Sequence, residues 1–213
     1  MSMDRPIGVG ATSPEGFTEL ESHVGRGACS VAGTQPVTPA DVVSFWQEAG
    51  RPMWFAKDAN FDRRFRQRFL SAHEAAMRGE LNDWASTPNG ALALLILLDQ
   101  FPRNAFRGTP RVYASDALAY EIANRAVAAG YDQQVCGLLR AFFYLPFCHC
   151  EQLAEQDRAV VLMRELGEEA ARAAERHRDI IKRFGRFPHR NPILGRTMTA
   201  EEQAYLDQGG FAG

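Results

Sequence analysis

Three short segments of this 213-residue chain carry side chains able to move protons or grip anions. The first is Leu97-Leu98-Asp99-Gln100-Phe101-Pro102-Arg103-Asn104, where polar residues break an apolar run. An ionised carboxylate in such surroundings costs on the order of several kcal/mol unless it is paired. If the helix continues past Pro102, Asp99 faces Arg103 and Gln100 faces Asn104 at i,i+4 spacing. The segment reads either as a buried pair fastening two helices or as part of a site. In the site reading, Asp99 is an acid–base group, and Gln100, Arg103 and Asn104 contact a ligand.

The second segment runs from Arg140 through Phe142-Phe143-Tyr144-Leu145-Pro146-Phe147 to Cys148-His149-Cys150-Glu151. Arg140 sits among bulky apolar neighbours and needs an anionic partner, with Asp99 and Glu151 the candidates. His149 and Glu151 flank the start of the next helix, where backbone N–H groups lack partners, and both are candidate acid–base residues. Zinc on Cys148 and Cys150 is disfavoured: one intervening residue is tighter than the usual spacing, and no second ligand pair follows. No metal or other cofactor is assigned. A catalytic metal on His149, Glu151, His177 and His189 is a minor third reading.

The third segment is the most charged. From Arg172 to Arg196, eight Lys or Arg residues stand against two acids, Glu175 and Asp179, a local +6 in a chain of net charge −2. Asp179 can pair with Arg183 one turn on. Gly185 releases the helix, and Phe187-Pro188 stiffens a turn displaying Arg186, His189, Arg190 and Asn191. Guanidinium groups beside imidazole suit a carboxylate or phosphate, because Arg offers bidentate donors. Arg183, Arg186, Arg190 and Asn191 are therefore candidate ligand contacts, and His177 and His189 candidate acid–base groups, with His189 expected to titrate near neutrality. The competing reading is a loop held to neighbouring helices by salt bridges.

These residues need a rigid frame, and the rest of the chain predicts a helical one. Hydrophobic residues at 46% and charged residues at 23% exclude wholesale disorder. The small net charge argues against nucleic acid or anionic lipid as partner. The longest strongly apolar run, Ala91 to Leu98, is far below what a membrane span needs, and no secretion-type apolar stretch opens the chain. With four cysteines and no disulfide pattern, a soluble protein of a reducing compartment, the cytoplasm, is expected.

Residues 1–36 hold six glycines and no helical or strand period, so a flexible tail is expected there, with His23 and Cys29 as bystanders. The remainder, 37–213, reads as one all-helical domain. Thr38-Pro39-Ala40-Asp41 opens a helix closed at Gly50. Phe61, Phe65, Phe69, Ala72 and Ala76 form a stripe at helical spacing, with Arg63, Arg64, Arg66, Gln67 and Arg68 mostly off it. That basic face reads as solvated rather than as a polyanion surface. Ala91 to Leu98 is a central buried helix. Further helices span 117–129, 135–144, 151–166 and 168–184, and Thr199-Ala200-Glu201-Glu202 is a capping box. About eight helices joined by tight turns predict an irregular array of antiparallel helical hairpins.

Several of these motifs together resemble the domain-of-unknown-function 924 family. They are Phe45-Trp46, Trp54-Phe55, Phe61-Asp62, the run from Leu97 to Asn104, Phe142-Phe143-Tyr144-Leu145-Pro146, and His177 through Arg190-Asn191 with Leu194-Gly195-Arg196. The resemblance runs from about Val42 to the end and implies a tetratricopeptide-like all-helical fold. It implies no reaction. In the family pattern a serine usually stands between the residues matching His149 and Glu151, whereas Cys150 stands here; Cys148 also occupies a position often acidic. Two functions remain open. One is a helical binding module with an Arg/His-lined groove for an anionic ligand or a peptide. The other is an enzyme acting on a small carboxylate or phosphate by His/carboxylate acid–base catalysis, with Asp99, Arg140, His149, Glu151, His177, Arg186 and His189 converging on one pocket.

Overall fold

The structure, a computed structural model, describes residues 36–213 apart from residue 136. The expected flexible tail, with His23 and Cys29, lies almost wholly outside the described residues. Among them every regular element is helical: α1 (Pro39–Trp54), α2 (Ala59–Met77), α3 (Pro88–Leu95), α4 (Phe101–Ala105), α5 (Asp116–Ala128), α6 (Ala141–Cys148), α7 (Leu153–Arg164), α8 (Glu168–Phe184), α9 (Asn191–Leu194) and α10 (Ala200–Asp207). Helices α3 and α4 run on through a π-helical turn, Ile96–Gln100, as one rod. No helix among the described residues is long and apolar enough to cross a membrane.

Local chemistry explains the boundaries. Thr38 and Asp41 form a capping box at the start of α1, and Thr199 with Glu202 forms another at α10, each satisfying backbone donors the helix leaves open. Helix α1 does not stop at Gly50. That residue takes φ 70, kinks the helix, and the chain resumes helically to Trp54, whose indole N–H donates to Trp46 O at 2.6 Å. Pro146 lies inside α6 instead of ending it, and the preceding Gly137–Arg140 forms a 3-10 turn where α-helix was expected.

Helix α3 is buried on all sides and forms the axis of the core. It packs on α1 and α5, and α2 lies along α4. The stripe Phe61, Phe65, Phe69, Ala72 and Ala76 turns inward as its spacing predicts. Trp46, Trp54 and Phe142 lock α1 to α6 through edge-to-face contacts at 5.4 and 5.0 Å. Helices α6, α7 and α8 then follow as consecutive packed neighbours. A smaller apolar cluster of Ile180, Ile181 and Phe187, with Phe184 and Tyr205 against it, anchors the chain after α8.

Candidate functional site

The π turn builds the floor of the site. Pro102 has no N–H, so Leu98 loses the donor that an α-helix would supply to its carbonyl. Ser115 Oγ donates there instead, at 2.5 Å. Phe101 N–H reaches back to Ile96 O, and the Leu97 carbonyl is taken by His73 Nδ1 at 2.9 Å. Arg103 Nη1 donates to the Asp99 carbonyl at 2.7 Å. Three consecutive carbonyls thus receive side-chain donors, which a buried irregular turn requires. Asp99 sits in this turn, 1% exposed.

Asp99 is paired with His149, the residue capping the C-terminus of α6, at 2.6 Å between Oδ1 and Nδ1. Burial alone would push the Asp99 carboxyl up, but Arg103 and His149 outweigh it and hold it at about 2. The carboxylate is therefore ionised and can only accept, so Nδ1 carries the proton and Nε2 presents a lone pair. Nε2 has no hydrogen-bond partner among the described residues, and the side chain is 16% exposed. Burial, followed by Arg103, lowers the His149 pKa despite the opposing pull of Asp99. Gln100 Nε2 holds the other Asp99 oxygen at 2.5 Å. The turn carrying His149 is fixed from α7 by Gln156, which donates to Cys148 O at 2.8 Å and Cys150 O at 2.6 Å.

Around this dyad the charges balance. Arg103 makes an ion pair to Asp99 at 3.3 Å and a two-pronged contact to Asp116 at 2.9 and 3.2 Å. Arg190, 6% exposed, donates to Asp116 Oδ2 at 3.3 Å and His149 O at 3.0 Å. Its guanidinium lies over Tyr113 and Phe187, 4.5 and 4.6 Å from the ring centres. Glu151 accepts from Phe187 N–H at 2.9 Å and from Arg196 at 2.9 Å, and these donors keep its carboxyl low against burial. Three carboxylates meet three guanidinium groups. Arg190 Nε nevertheless remains buried with no hydrogen-bond partner.

His177 and His189 flank Phe187, each 5.7 Å from its ring, and both meet Phe211 edge-on. His177 Nδ1–H donates to Ala173 O at 2.8 Å. Burial, aided by neighbouring cations, lowers both imidazoles to about 4. The expected titration of His189 near neutrality is therefore corrected: an apolar pocket with Arg190 beside it disfavours the imidazolium. Burial raises the Cys150 thiol to about 11, so it is not a ready thiolate.

Several sequence expectations are redrawn. Asp99 does face Arg103, but Gln100 turns to Asp99, and Asn104 donates to Asp62 at 2.7 Å. The π turn breaks the α spacing on which the Gln100–Asn104 pairing rested. Arg140 meets neither Asp99 nor Glu151; it bonds Tyr144 Oη at 2.7 Å and pairs with Asp132 and Glu165. Arg183 pairs with Glu201 at 2.9 Å instead of Asp179, and Arg186 with Glu202 at 2.6 Å, both on α10. The turn after α8 does not display Arg190 and Asn191, because both are buried. Asn191 Nδ2 donates to Met198 Sδ at 3.4 Å, and its oxygen is unpartnered. Among the described residues no three His, Cys, Asp or Glu side chains are grouped to hold a metal ion.

Asp116, Tyr113, Ser115, His73 and Gln156 complete the site and were not singled out from the sequence, and Arg196, named there only within a motif and a basic stretch, joins them. Only Asp116 carried a signal, as the acid opening a predicted helix; the others look like ordinary helix or loop residues.

A family model described as a bacterial protein of unknown function, DUF924, matches residues 42–210. Among solved structures, a protein of unknown function, ATU0120 from Agrobacterium tumefaciens, is similar: 54% identity and a TM-score of 0.79, over 80% of this chain and 97% of that one. A search of curated proteins finds no significant match.

Proposed function

The chain belongs to the DUF924 family, and from that premise we propose that it is an enzyme in which His149, oriented by Asp99, takes a proton from a small substrate or from the water attacking it. The carrying observation is the 2.6 Å contact from His149 Nδ1 to Asp99, with Nε2 uncommitted among the described residues. A carboxylate on one ring nitrogen sets the tautomer, stabilises the imidazolium formed after proton transfer, and leaves the other nitrogen to act as base. A depressed His149 pKa keeps that base unprotonated at neutral pH.

The substrate class is a small carboxylate or phosphate. Arg190 Nε is a buried donor still without a partner beside the dyad, and Arg103 lies against Asp99 itself. Negative charge growing on a substrate oxygen would be stabilised there in a low-dielectric setting. A cytoplasmic location fits this reading, since Cys148 and Cys150 are both free thiols. The alternative, a tetratricopeptide-like groove gripping an anionic peptide, draws on the helical array alone. Of the arginines expected to line it, Arg103, Arg140, Arg183, Arg186 and Arg190, all are paired with carboxylates, and Arg190 alone keeps a buried donor without a partner, beside the dyad.

The test is turnover of a panel of small carboxylic and phosphoric esters by the wild-type protein and by His149→Gln. A hit whose rate drops about 100-fold or more in the variant supports a general base. A hit turned over equally well by both proteins contradicts the proposal.

A further inference from the structure

The arginines of α2 differ from those after α8 in what surrounds them. Along α2, Arg63, Arg66, Gln67 and Leu70 follow at i, i+3, i+4 and i+7 and so share one face. That face borders an open groove of about 460 Å³, closed on its far side by Asn104 and Ala105 of α4.

No carboxylate neutralises the two guanidinium groups. Arg63 donates only to the Asn60 amide oxygen, and Arg66 only weakly to Ala105 O at 3.5 Å, and neither makes an ion pair among the described residues. Arg66 also lies 5.6 Å from the Phe106 ring, which limits how far it swings. The one acid bordering the groove, Asp62, is already held by Arg107 at 2.7 Å and Asn104 at 2.7 Å. The neighbouring Arg68 and Arg111 face Asp41 and Glu74. Arg64, also without an ion pair among the described residues, is not among the residues lining the groove, so Arg63 and Arg66 are the guanidinium groups that border it, beside an apolar floor made by Leu70 and Ala105.

We propose that this groove binds a small phosphomonoester, its phosphoryl group held between Arg63 and Arg66 and its body against Leu70 and Ala105. Two guanidinium forks supply more donors and charge than one carboxylate uses, and match a group carrying about −1.5 to −2. With only Arg63 and Arg66 as guanidinium groups lining the groove, it offers room for one phosphate. The site is separate from the Asp99–His149 dyad and does not depend on it.

Calorimetric titration at constant ionic strength tests this, with phenyl phosphate and inorganic phosphate as probes and chloride as the balancing ion. Phenyl phosphate is expected to bind saturably, at least tenfold more tightly than inorganic phosphate. The double variant Arg63→Gln, Arg66→Gln should weaken it at least tenfold, while Arg183→Gln, whose arginine is paired to Glu201, leaves it unchanged. Helix content by circular dichroism confirms that the variants fold. Equal affinities in wild type and double variant overturn the site, as does absence of binding. Equal affinity for the two probes overturns the apolar subsite. A short single-stranded DNA that binds more tightly than phenyl phosphate makes the face a polyanion surface instead.

Discussion

His149 and the pair His177–His189 come from neighbouring parts of the fold but meet opposite environments. His149 touches a buried, ionised carboxylate at 2.6 Å, whereas His177 and His189 pack edge-on to Phe211, with Phe187 beside them. All three imidazoles are biased towards the neutral form. Only at His149 is the resulting imidazolium given an anion in direct contact. Burial alone makes a histidine inert; burial against a carboxylate makes it a base with a place to put its charge.

The sharpest way to break this contrast is to remove the carboxylate. Asp99→Asn strands part of the positive charge of Arg103 and should cost about 3 kcal/mol of stability, measured by urea unfolding. A loss within about 0.5 kcal/mol, as at ordinary surface sites, would mean Asp99 is not a desolvated partner.

The aromatic-packed pair predicts a different signature, a pH dependence. Both imidazoles are lowered from the ordinary 6.5 to about 4, so between those values the unfolded chain binds protons that the folded one does not. Their contribution is therefore fully present above pH 6.5 and lost as the pH falls through about 4. Each lost contribution is on the order of 3 kcal/mol, and His189→Asn should flatten the slope over that window. An unchanged slope in the variant would show that His189 does not titrate there.

A smaller effect probes the floor beneath Asp99. Ser115→Ala leaves the Leu98 carbonyl without its donor and should cost about 1–2 kcal/mol. Adding Pro102→Ala returns a backbone N–H one helical turn on, and part of that loss should be recovered; no recovery would detach the π turn from Pro102. The smallest effect lies outside both regions. Arg183→Gln removes an exposed pair with Glu201 and should change stability by less than about 0.5 kcal/mol.

The fold was largely legible because its signals are local. Thr38 with Asp41, Thr199 with Glu202, and the Phe61-to-Ala76 stripe declare helix ends and inward faces within a few residues. The site was legible only where partners lie one helical turn apart, as with Asp99 and Arg103. The Asp99–His149 contact spans 50 positions, and the Arg190–Asp116 contact 74. Nothing in either segment's composition selects the other. The surplus of cations between Arg172 and Arg196 is largely offset on folding, because acids outside that stretch, Asp116, Glu151, Glu201 and Glu202, meet four of those arginines.

The central claim is that Asp99 fixes His149 as a neutral base with its Nε2 lone pair free. Nitrogen-resolved NMR of the His149 imidazole reads this directly. At neutral pH the account predicts the Nδ1–H tautomer, with a strongly downfield Nδ1 proton that disappears in Asp99→Asn. An Nε2–H tautomer, or an imidazole signal indifferent to Asp99→Asn, would contradict it.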